Sequence, residues 1–366
     1  MRGSLLSIVL VLAACGSEDA SGGATGGATR APELGVDGSA TLVELFAGSE
    51  LRRPRDLAFN PQRPDELWIV NDGDGSVVIF HGITGDAPTY ERRRDAAADH
   101  FMHKPSSIAF GASATSFGSS GTFATCGESR NEHGIEGAHD FMGPVLWSSD
   151  LAIFAREDPI GLGSHLDMLH NSPLCMGIAH EGANVYWTLN GRDGSIIRND
   201  FATDHGVGMD DHGDGASLEY VRGQLGFAPG VPSHLAFHAG SAMLYIADTA
   251  HGRVLRLDTT SGTRGARLPS MERQQGGHYR IDDAVLTEVV PPGALTAPSG
   301  LELRDDVLFV SDNATGRIVA FDLQGNQLEA LETGLGAGAL AGMAFGPDGR
   351  LYFVDMVGGR LLRIER

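Results

Sequence analysis

A unit of three short strands recurs about six times between residues 40 and 366, and this repeat limits the possible folds more than any other feature. Each unit has an apolar strand after a proline, a second strand ending in Asp or Asn, and a third strand after a glycine-containing turn. The copies that start at Pro232 and Pro298 show it best, as Pro-Ser-His-Leu-Ala-Phe and Pro-Ser-Gly-Leu-Glu-Leu. Other copies start at Pro54, Pro105 and Pro173 and near Ala341.

The repeat predicts an all-β fold. Its β-branched and aromatic runs, bounded by Gly, Pro, Asp or Asn, are typical of strands and hairpins. Three or four strands cannot bury both faces alone, but units packed around an axis can. We therefore expect a six-bladed β-propeller of four-stranded antiparallel blades. The last unit lacks an outer strand, and the unassigned segment 41–46 can supply it, which closes the ring and removes an open edge. An extra capping strand is the alternative.

The first residues predict export and lipid anchoring. Arg2 precedes an apolar run that is too short to span a bilayer and ends in Leu12-Ala-Ala-Cys15. This run resembles the bacterial lipobox, in which cleavage precedes the Cys and the Cys is acylated. We expect a signal peptide at 1–14, a lipidated Cys15 with a Gly/Ser/Ala-rich linker at 15–39, and the propeller at 40–366. An ordinary secretory signal is the alternative.

This signal predicts a protein of the cell envelope, lipid-anchored to the outer membrane or the cell membrane and facing the periplasm or the surface. The net charge of −20 argues against nucleic acid and against an anionic membrane surface as partners, and suits cations. Because an exported chain meets oxidising conditions, Cys126 and Cys175 are expected to form a disulfide. Free buried thiols and soft-metal ligation are the alternatives.

Histidines concentrate on one face of the predicted propeller. The segment before the first strand of a blade lies on the same face as the turn between its second and third strands. His103, His170 and His234 fall in the first kind of position and His251 in the second. Because imidazole is the commonest metal ligand, these four predict a divalent metal site for Zn²⁺ or Cu²⁺, with Ca²⁺ also considered. Solvated or structurally bonded histidines are the alternative.

A second candidate metal motif is the segment 204–215, which contains four Asp and two His among glycines. Closely spaced carboxylates on a turning backbone suit Ca²⁺, although the spacing is not that of an EF-hand. A solvated acidic loop is the alternative.

The repeat resembles the NHL-repeat family of six-bladed propellers, including peptidylglycine amidating lyase and TolB-like propellers. The resemblance lies in Pro-x-x-Leu/Ile-Ala-Phe, Leu-Tyr-x-x-Asp and Gly-Arg-Val/Ile/Leu, and it covers residues 40–366. It implies that the first strand of each blade lines a central channel. In the amidating lyases it further implies three channel histidines on Zn²⁺. In gluconolactonase-like propellers, to which Pro298-Ser-Gly-Leu is similar, it implies Ca²⁺ in the channel.

Three functions follow as hypotheses. The first is a metal-dependent lyase or, as a lower-ranked choice, a lactonase. The second is a non-catalytic binding or scaffold module for an envelope protein, a peptide or a glycan. The third is metal sequestration or delivery. A stoichiometric metal with an open coordination position favours catalysis, whereas a closed or metal-free site favours binding.

Overall fold

The computed structural model describes residues 33–35, 40–112, 121–131, 134–137, 139–209 and 213–366. The predicted signal peptide, Cys15 and most of the predicted linker lie outside the described residues. No helix in the described part of the chain is long and apolar enough to cross a membrane.

The regular secondary structure of the described chain is almost entirely strand, with one short α-helix, α1 (Ala98–Phe101), between the first two blades. The first strand, β1, covers Thr41–Ala47. Blade 1 contains β2 (Pro54–Asn60), β3 (Arg63–Asn71), β4 (Ser76–His81) and β5 (Thr89–Arg94). Blade 2 contains β6 (Pro105–Phe110), β7 (Thr122–Gly127), β8 (Val145–Ser148) and β9 (His165–Met168). Blade 3 contains β10 (Cys175–Gly182), β11 (Val185–Asn190), β12 (Ser195–Asp200) and β13 (Ala216–Tyr220).

The second half of the chain continues the same pattern, with one insertion. Blade 4 contains β14 (Leu235–His238), β15 (Met243–Asp248), β16 (Arg253–Asp258) and β19 (Leu286–Val290), and a 3-10 turn (Thr249–His251) follows β15. The inserted hairpin is β17 (Thr263–Arg267) and β18 (Gly277–Asp282). Blade 5 contains β20 (Pro298–Arg304), β21 (Val307–Asp312), β22 (Arg317–Asp322) and β23 (Gln327–Glu332). Blade 6 contains β24 (Leu340–Phe345), β25 (Leu351–Asp355) and β26 (Arg360–Glu365) together with β1.

The predicted six-bladed propeller is confirmed, and so is its closure by the N-terminal strand. β1 pairs antiparallel with β26, from Thr41 opposite Glu365 to Ala47 opposite Arg360. Phe46 of β1 also packs edge-on against Phe80 of blade 1, with ring centroids 5.3 Å apart. The strand therefore completes blade 6 and contacts the first blade, so it closes the ring and is not an extra cap.

The hairpin β17–β18 departs from the repeat. It is inserted between β16 and β19 of blade 4, yet β18 pairs in parallel with β13 of blade 3. Blade 3 thereby becomes part of a six-stranded sheet. The segment has no counterpart in the other units, which is why the repeat pattern does not predict it.

Apolar side chains between neighbouring blades form the core. Between blades 1 and 2, the indole of Trp68 lies edge-on to Phe123 at 4.9 Å, and Phe123 lies edge-on to Phe154 at 5.0 Å. Trp68, Phe123 and Phe154 are fully buried. Edge-to-face contacts add about 0.5–1.5 kcal/mol each beyond area burial, so they help to fix one blade against the next.

A sulfur–sulfur contact links blades 2 and 3. Cys126 in β7 and Cys175 at the start of β10 have their Sγ atoms 2.10 Å apart, which is bonding distance, and both residues are buried. Their sequence separation is 49 residues. A disulfide here would tie two adjacent inner regions of the ring together.

We expect the double substitution Cys126→Ala/Cys175→Ala to lower the free energy of unfolding by about 2–4 kcal/mol, because the cross-link restricts the unfolded chain. Urea unfolding with and without dithiothreitol measures this. The reductant should destabilise the wild-type protein and leave the double variant unchanged. A wild-type midpoint that does not respond to reductant would show that the thiols are not bonded.

Candidate functional site

A cavity of about 540 Å³ occupies the central channel of the propeller. All six inner strands contribute to its wall, with one large apolar residue from each: Leu57, Ile108, Ile178, Leu235, Leu301 and Met343. The cavity extends to the turns that follow the inner strands, where His180, His238 and Asp306 line it. It therefore opens on the face formed by the turns between first and second strands.

One position of the repeat separates blade 5 from the other five. The residue that follows the large apolar wall residue in each inner strand also lines the cavity, and it is alanine in five blades: Ala58, Ala109, Ala179, Ala236 and Ala344. In blade 5 this residue is Glu302. A carboxyl group therefore enters an otherwise apolar ring, and aligning the six units is the sequence signal that finds it.

The environment of Glu302 favours its protonated form. Burial among the inner strands and, as a smaller cause, the negative charge of Asp56 together raise the pKa of Glu302 from its ordinary value of 4.5 to about 8. The side chain keeps partial exposure because it borders the channel. At neutral pH Glu302 is therefore mostly a neutral acid that can donate a proton or a hydrogen bond.

His234 reaches across the channel axis. It belongs to blade 4, and its Nδ1 lies 3.5 Å from Oδ1 of Asp56 in blade 1, on the opposite side of the ring. Its Nε2 lies 3.1 Å from the carbonyl oxygen of Ser106 in blade 2. Because a carbonyl only accepts hydrogen bonds, Nε2 carries a proton and donates it there, which leaves Nδ1 facing the carboxyl group.

Asp56 is held in place from two sides. Its Oδ1 accepts from the Leu57 backbone N–H and its Oδ2 from the Ile108 N–H of the next blade, both at 2.9 Å. Burial raises the pKa of Asp56, and the charge of His234 and the two N–H donors offset part of that rise. Asp56, His234 and Glu302 thus form a group of titratable side chains inside the cavity.

A charged cluster lies at the other end of the channel. The guanidinium of Arg55, which is 2% exposed, lies 3.2 Å from Asp72 and 2.7 Å from Glu128 of blade 2. Glu128 in turn accepts from the Gly230 N–H, ahead of blade 4, at 3.0 Å. These contacts join blades 1, 2 and 4 where the inner strands begin. The face on which the sequence predicts the metal site is therefore the face that carries this charged cluster.

Of the four histidines predicted to bind metal, the structure places only His234 in the cavity. The ring of His103 lies 3.2 Å from Oγ of Ser129. The side chain of His251 is half-exposed and its Nδ1 lies 2.9 Å from Oδ2 of Asp248, a residue of its own blade.

His170 is buried between blade 2 and the inserted hairpin. Its Nδ1 lies 2.5 Å from the Phe141 carbonyl oxygen and its Nε2 lies 3.6 Å from Oε1 of Glu272. The structure therefore engages the four rings with four different sets of neighbours and does not bring them to one centre.

Among the described residues, a different group has metal-donor atoms close together. Asp167, His205 and Asp214 have one donor atom each within 4.8 Å of the others. Asp167 is buried on β9 of blade 2, and His205 and Asp214 lie in the connection between β12 and β13. The last two residues belong to the acidic segment 204–215, of which residues 210–212 lie outside the described part. An imidazole and two carboxylates form a donor set suited to Zn²⁺.

No protein-family model and no curated protein matches this sequence. Among solved structures, the chain is similar to an auxiliary nutrient binding protein from Bacteroides thetaiotaomicron VPI-5482, with a TM-score of 0.53 and 13% identity over 85% of this chain and 68% of that one. It is also similar to a streptogramin B lyase, with a TM-score of 0.52 and 10% identity over 89% and 97% of the two chains.

A third similar structure is the virginiamycin B lyase from Staphylococcus aureus, with a TM-score of 0.51 and 11% identity over 90% of this chain and 100% of that one. At these identities the similarity shows the propeller fold alone. The function has to be argued from the channel.

The raised pKa of Glu302 predicts a specific pH dependence of stability. The folded state holds this proton more tightly than the unfolded state, so the free energy of unfolding falls as pH rises from about 4.5 to about 8, by at most about 1.4 kcal/mol per pH unit. Glu302→Gln removes this loss, and its advantage over the wild-type protein should grow with pH and level off above pH 8. Urea unfolding at pH 5, 7 and 9 measures it.

The matched control is Glu288→Gln, on an exposed carboxylate of β19 in the neighbouring blade. Its stability difference from wild type should stay constant with pH. An equal pH profile for the two variants would contradict the assignment of Glu302 as a neutral buried acid.

Proposed function

We propose that this protein is a ligand-binding propeller of the cell envelope, and that its central channel binds a small molecule with both an apolar part and a polar group. The observation that carries the proposal is the 540 Å³ cavity, whose wall combines large apolar side chains from all six inner strands with titratable side chains that include Asp56, His234 and Glu302. Small-molecule sites in proteins typically have volumes of about 300–1,000 Å³, apolar linings and a few placed polar groups.

The polar groups toward one end of the channel support binding. A ligand can enter from the side of His180 and His238, while the Arg55–Glu128 pair and the His234 side chain lie where the inner strands begin. The polar groups then meet one part of the ligand and the apolar wall meets the rest. The solved structures of similar fold are described as a nutrient-binding protein and as lyases, so this architecture is compatible with either kind of role.

The location belongs to the proposal as well. The NHL-like repeat, the export signal and the lipobox-like Cys15 together favour a lipoprotein whose propeller is tethered to the membrane by a flexible linker. In that position the channel would take up a ligand on the outer side of the cell membrane. An envelope protein, a peptide or a glycan remains a proposed partner for the propeller surface.

We expect Cys15→Ser to release the protein from the membrane fraction, because it removes the acylated side chain. Ser17→Ala, two residues away, is the control and should leave the protein in that fraction. Fractionation of the producing bacterium, with mass spectrometry of the N-terminal peptide, makes the measurement. A Cys15→Ser protein that stays membrane-bound would contradict lipid anchoring.

Catalysis is the second candidate, because Asp56, His234 and Glu302 combine acid and base groups in one cavity. Perturbed carboxyl groups in clefts are typical of active sites. Such a site would favour a lyase or a hydrolase of a small molecule, as the amidating lyase and lactonase resemblances imply. The two roles differ in what happens to the ligand: a binding protein releases it unchanged, whereas an enzyme releases a product that mass spectrometry detects.

The divalent metal predicted from the sequence remains a proposal, and the structure changes where we expect it. The donor atoms of Asp167, His205 and Asp214 converge, whereas His103 and the other three predicted histidines each contact different neighbours. We expect His205→Ala to lower the divalent metal content of the purified protein and His103→Ala to leave it unchanged. Elemental analysis measures this, and loss of metal in His103→Ala alone would restore the original assignment.

Filling the channel should abolish ligand binding. Ala236 lines the cavity, and Ala236→Phe would occupy part of its volume. The neutral fluorescent probe N-phenyl-1-naphthylamine should bind the wild-type protein at one site, and Ala236→Phe should weaken that binding at least about tenfold, corresponding to about 1.4 kcal/mol. Ala266→Phe, on the exposed strand β17, is the control and should bind the probe normally. Equal affinities for both variants would contradict the channel as the site.

A further inference from the structure

The cavity wall carries an excess of negative groups. Asp56, Glu302, Asp305 and Asp306 supply four carboxyl groups, and within the described residues no lysine or arginine lines the cavity. The other titratable groups that face the cavity are the imidazoles of His180, His234 and His238.

One guanidinium next to this wall, that of Arg304, is engaged elsewhere. It donates to the Gly349 carbonyl oxygen at 2.7 Å, lies 4.7 Å from the ring centroid of Phe345, and lies 3.5 Å from Asp305. Arg304 therefore offsets the charge of Asp305 near the opening, and the other three carboxyl groups of the wall belong to Asp306, Asp56 and Glu302. Asp306 lies 3.7 Å from His238.

Aromatic rings accompany these carboxyl groups. Phe59, Phe237 and Phe345 each follow the cavity-lining alanine of their inner strand, and they line the cavity from three blades. Glu302 takes the place of this alanine in blade 5. Aromatic faces attract organic cations, most strongly where water is excluded. Rings and acid groups around one apolar space form an environment suited to an alkylammonium group.

We propose that the channel selects ligands that carry an ammonium group, and that Glu302 receives this group as a carboxylate. The inference rests on the proposed channel site and names the class of ligand that the site takes. The ammonium group lies beside Glu302, which stands where the other five inner strands have alanine. The apolar part of the ligand contacts the leucine, isoleucine and phenylalanine side chains of the wall.

Binding of such a ligand releases a proton. In the empty channel at neutral pH, Glu302 is mostly protonated. A cation next to it stabilises the carboxylate, so the O–H bond of the carboxyl group breaks, the electron pair stays on the oxygen and the proton passes to solvent. The affinity for a permanent cation should therefore rise with pH, by up to about tenfold per pH unit between pH 6 and 8.

The test compares choline with 3,3-dimethylbutan-1-ol, which has the same shape but a carbon atom in place of the charged nitrogen. Both compete with N-phenyl-1-naphthylamine for the full-length protein, at pH 6, 7, 8 and 9. We expect choline to compete at least about tenfold better than the alcohol at pH 8. Calorimetry in phosphate and in Tris at pH 7 should show proton release with choline and none with the alcohol.

Glu302→Gln is the deciding variant, because it keeps the shape of the side chain and all other titratable groups of the cavity. Its choline affinity, measured directly by calorimetry, should lose the rise between pH 6 and 8, and its proton release should disappear. If the probe binds but choline and the alcohol compete equally, the ammonium inference fails and channel binding stands. If the probe binds Ala236→Phe as well as the wild type, the channel itself is not the site.

Discussion

The structure of the site depends on one side chain that crosses the propeller axis. His234 of blade 4 approaches Asp56 of blade 1 and donates to the Ser106 carbonyl of blade 2. This contact links opposite blades across the axis and places polar groups at one end of the cavity. It also surrounds Asp56 with protein, and the charge of Asp56 is one of the reasons that the pKa of Glu302 is raised. The polar end of the cavity, its acid groups and the proton release proposed for ligand binding therefore all involve the same three side chains, His234, Asp56 and Glu302.

The inner strands can approach one another closely because several blades have glycine at one position of the repeat. Asp56 occupies this position in blade 1 and His234 occupies it in blade 4. A Cβ atom on Gly177 would lie 2.1 Å from the Ser233 carbonyl oxygen, and one on Gly342 would lie 2.6 Å from the Cα atom of Asp56. Contacts below 3.0 Å force the backbone to shift, so only some blades of the ring can carry a side chain at this position of the repeat. A nearly regular repeat thus acquires an asymmetric site through Asp56 and His234 at this position and through Glu302 at the position where the other blades have alanine.

The sequence predicts the fold well because the units of the repeat share the residues that form their strands and turns. The strand pattern around Pro232 and Pro298 is enough to predict blades, and the unassigned strand at 41–46 is enough to predict the closure. The site is harder to predict because it depends on departures from the repeat. A search for histidines selects His103 and His251, which the structure engages with local partners, whereas Glu302 becomes visible only when the six inner strands are aligned. The inserted hairpin β17–β18 has no repeat partner and was not predictable.

The coupling between His234 and Asp56 tests this account most directly. Asp56→Asn, His234→Gln and the double variant, each compared with wild type by urea unfolding at pH 7, form a double-mutant cycle for two residues on opposite blades. If the two side chains interact as the structure shows, the effects are non-additive, with a coupling energy of about 1–3 kcal/mol. Additive effects, within about 0.5 kcal/mol, would show that the imidazole of His234 does not interact with the carboxyl group of Asp56 across the axis. That result would contradict the arrangement of acid groups described for the channel.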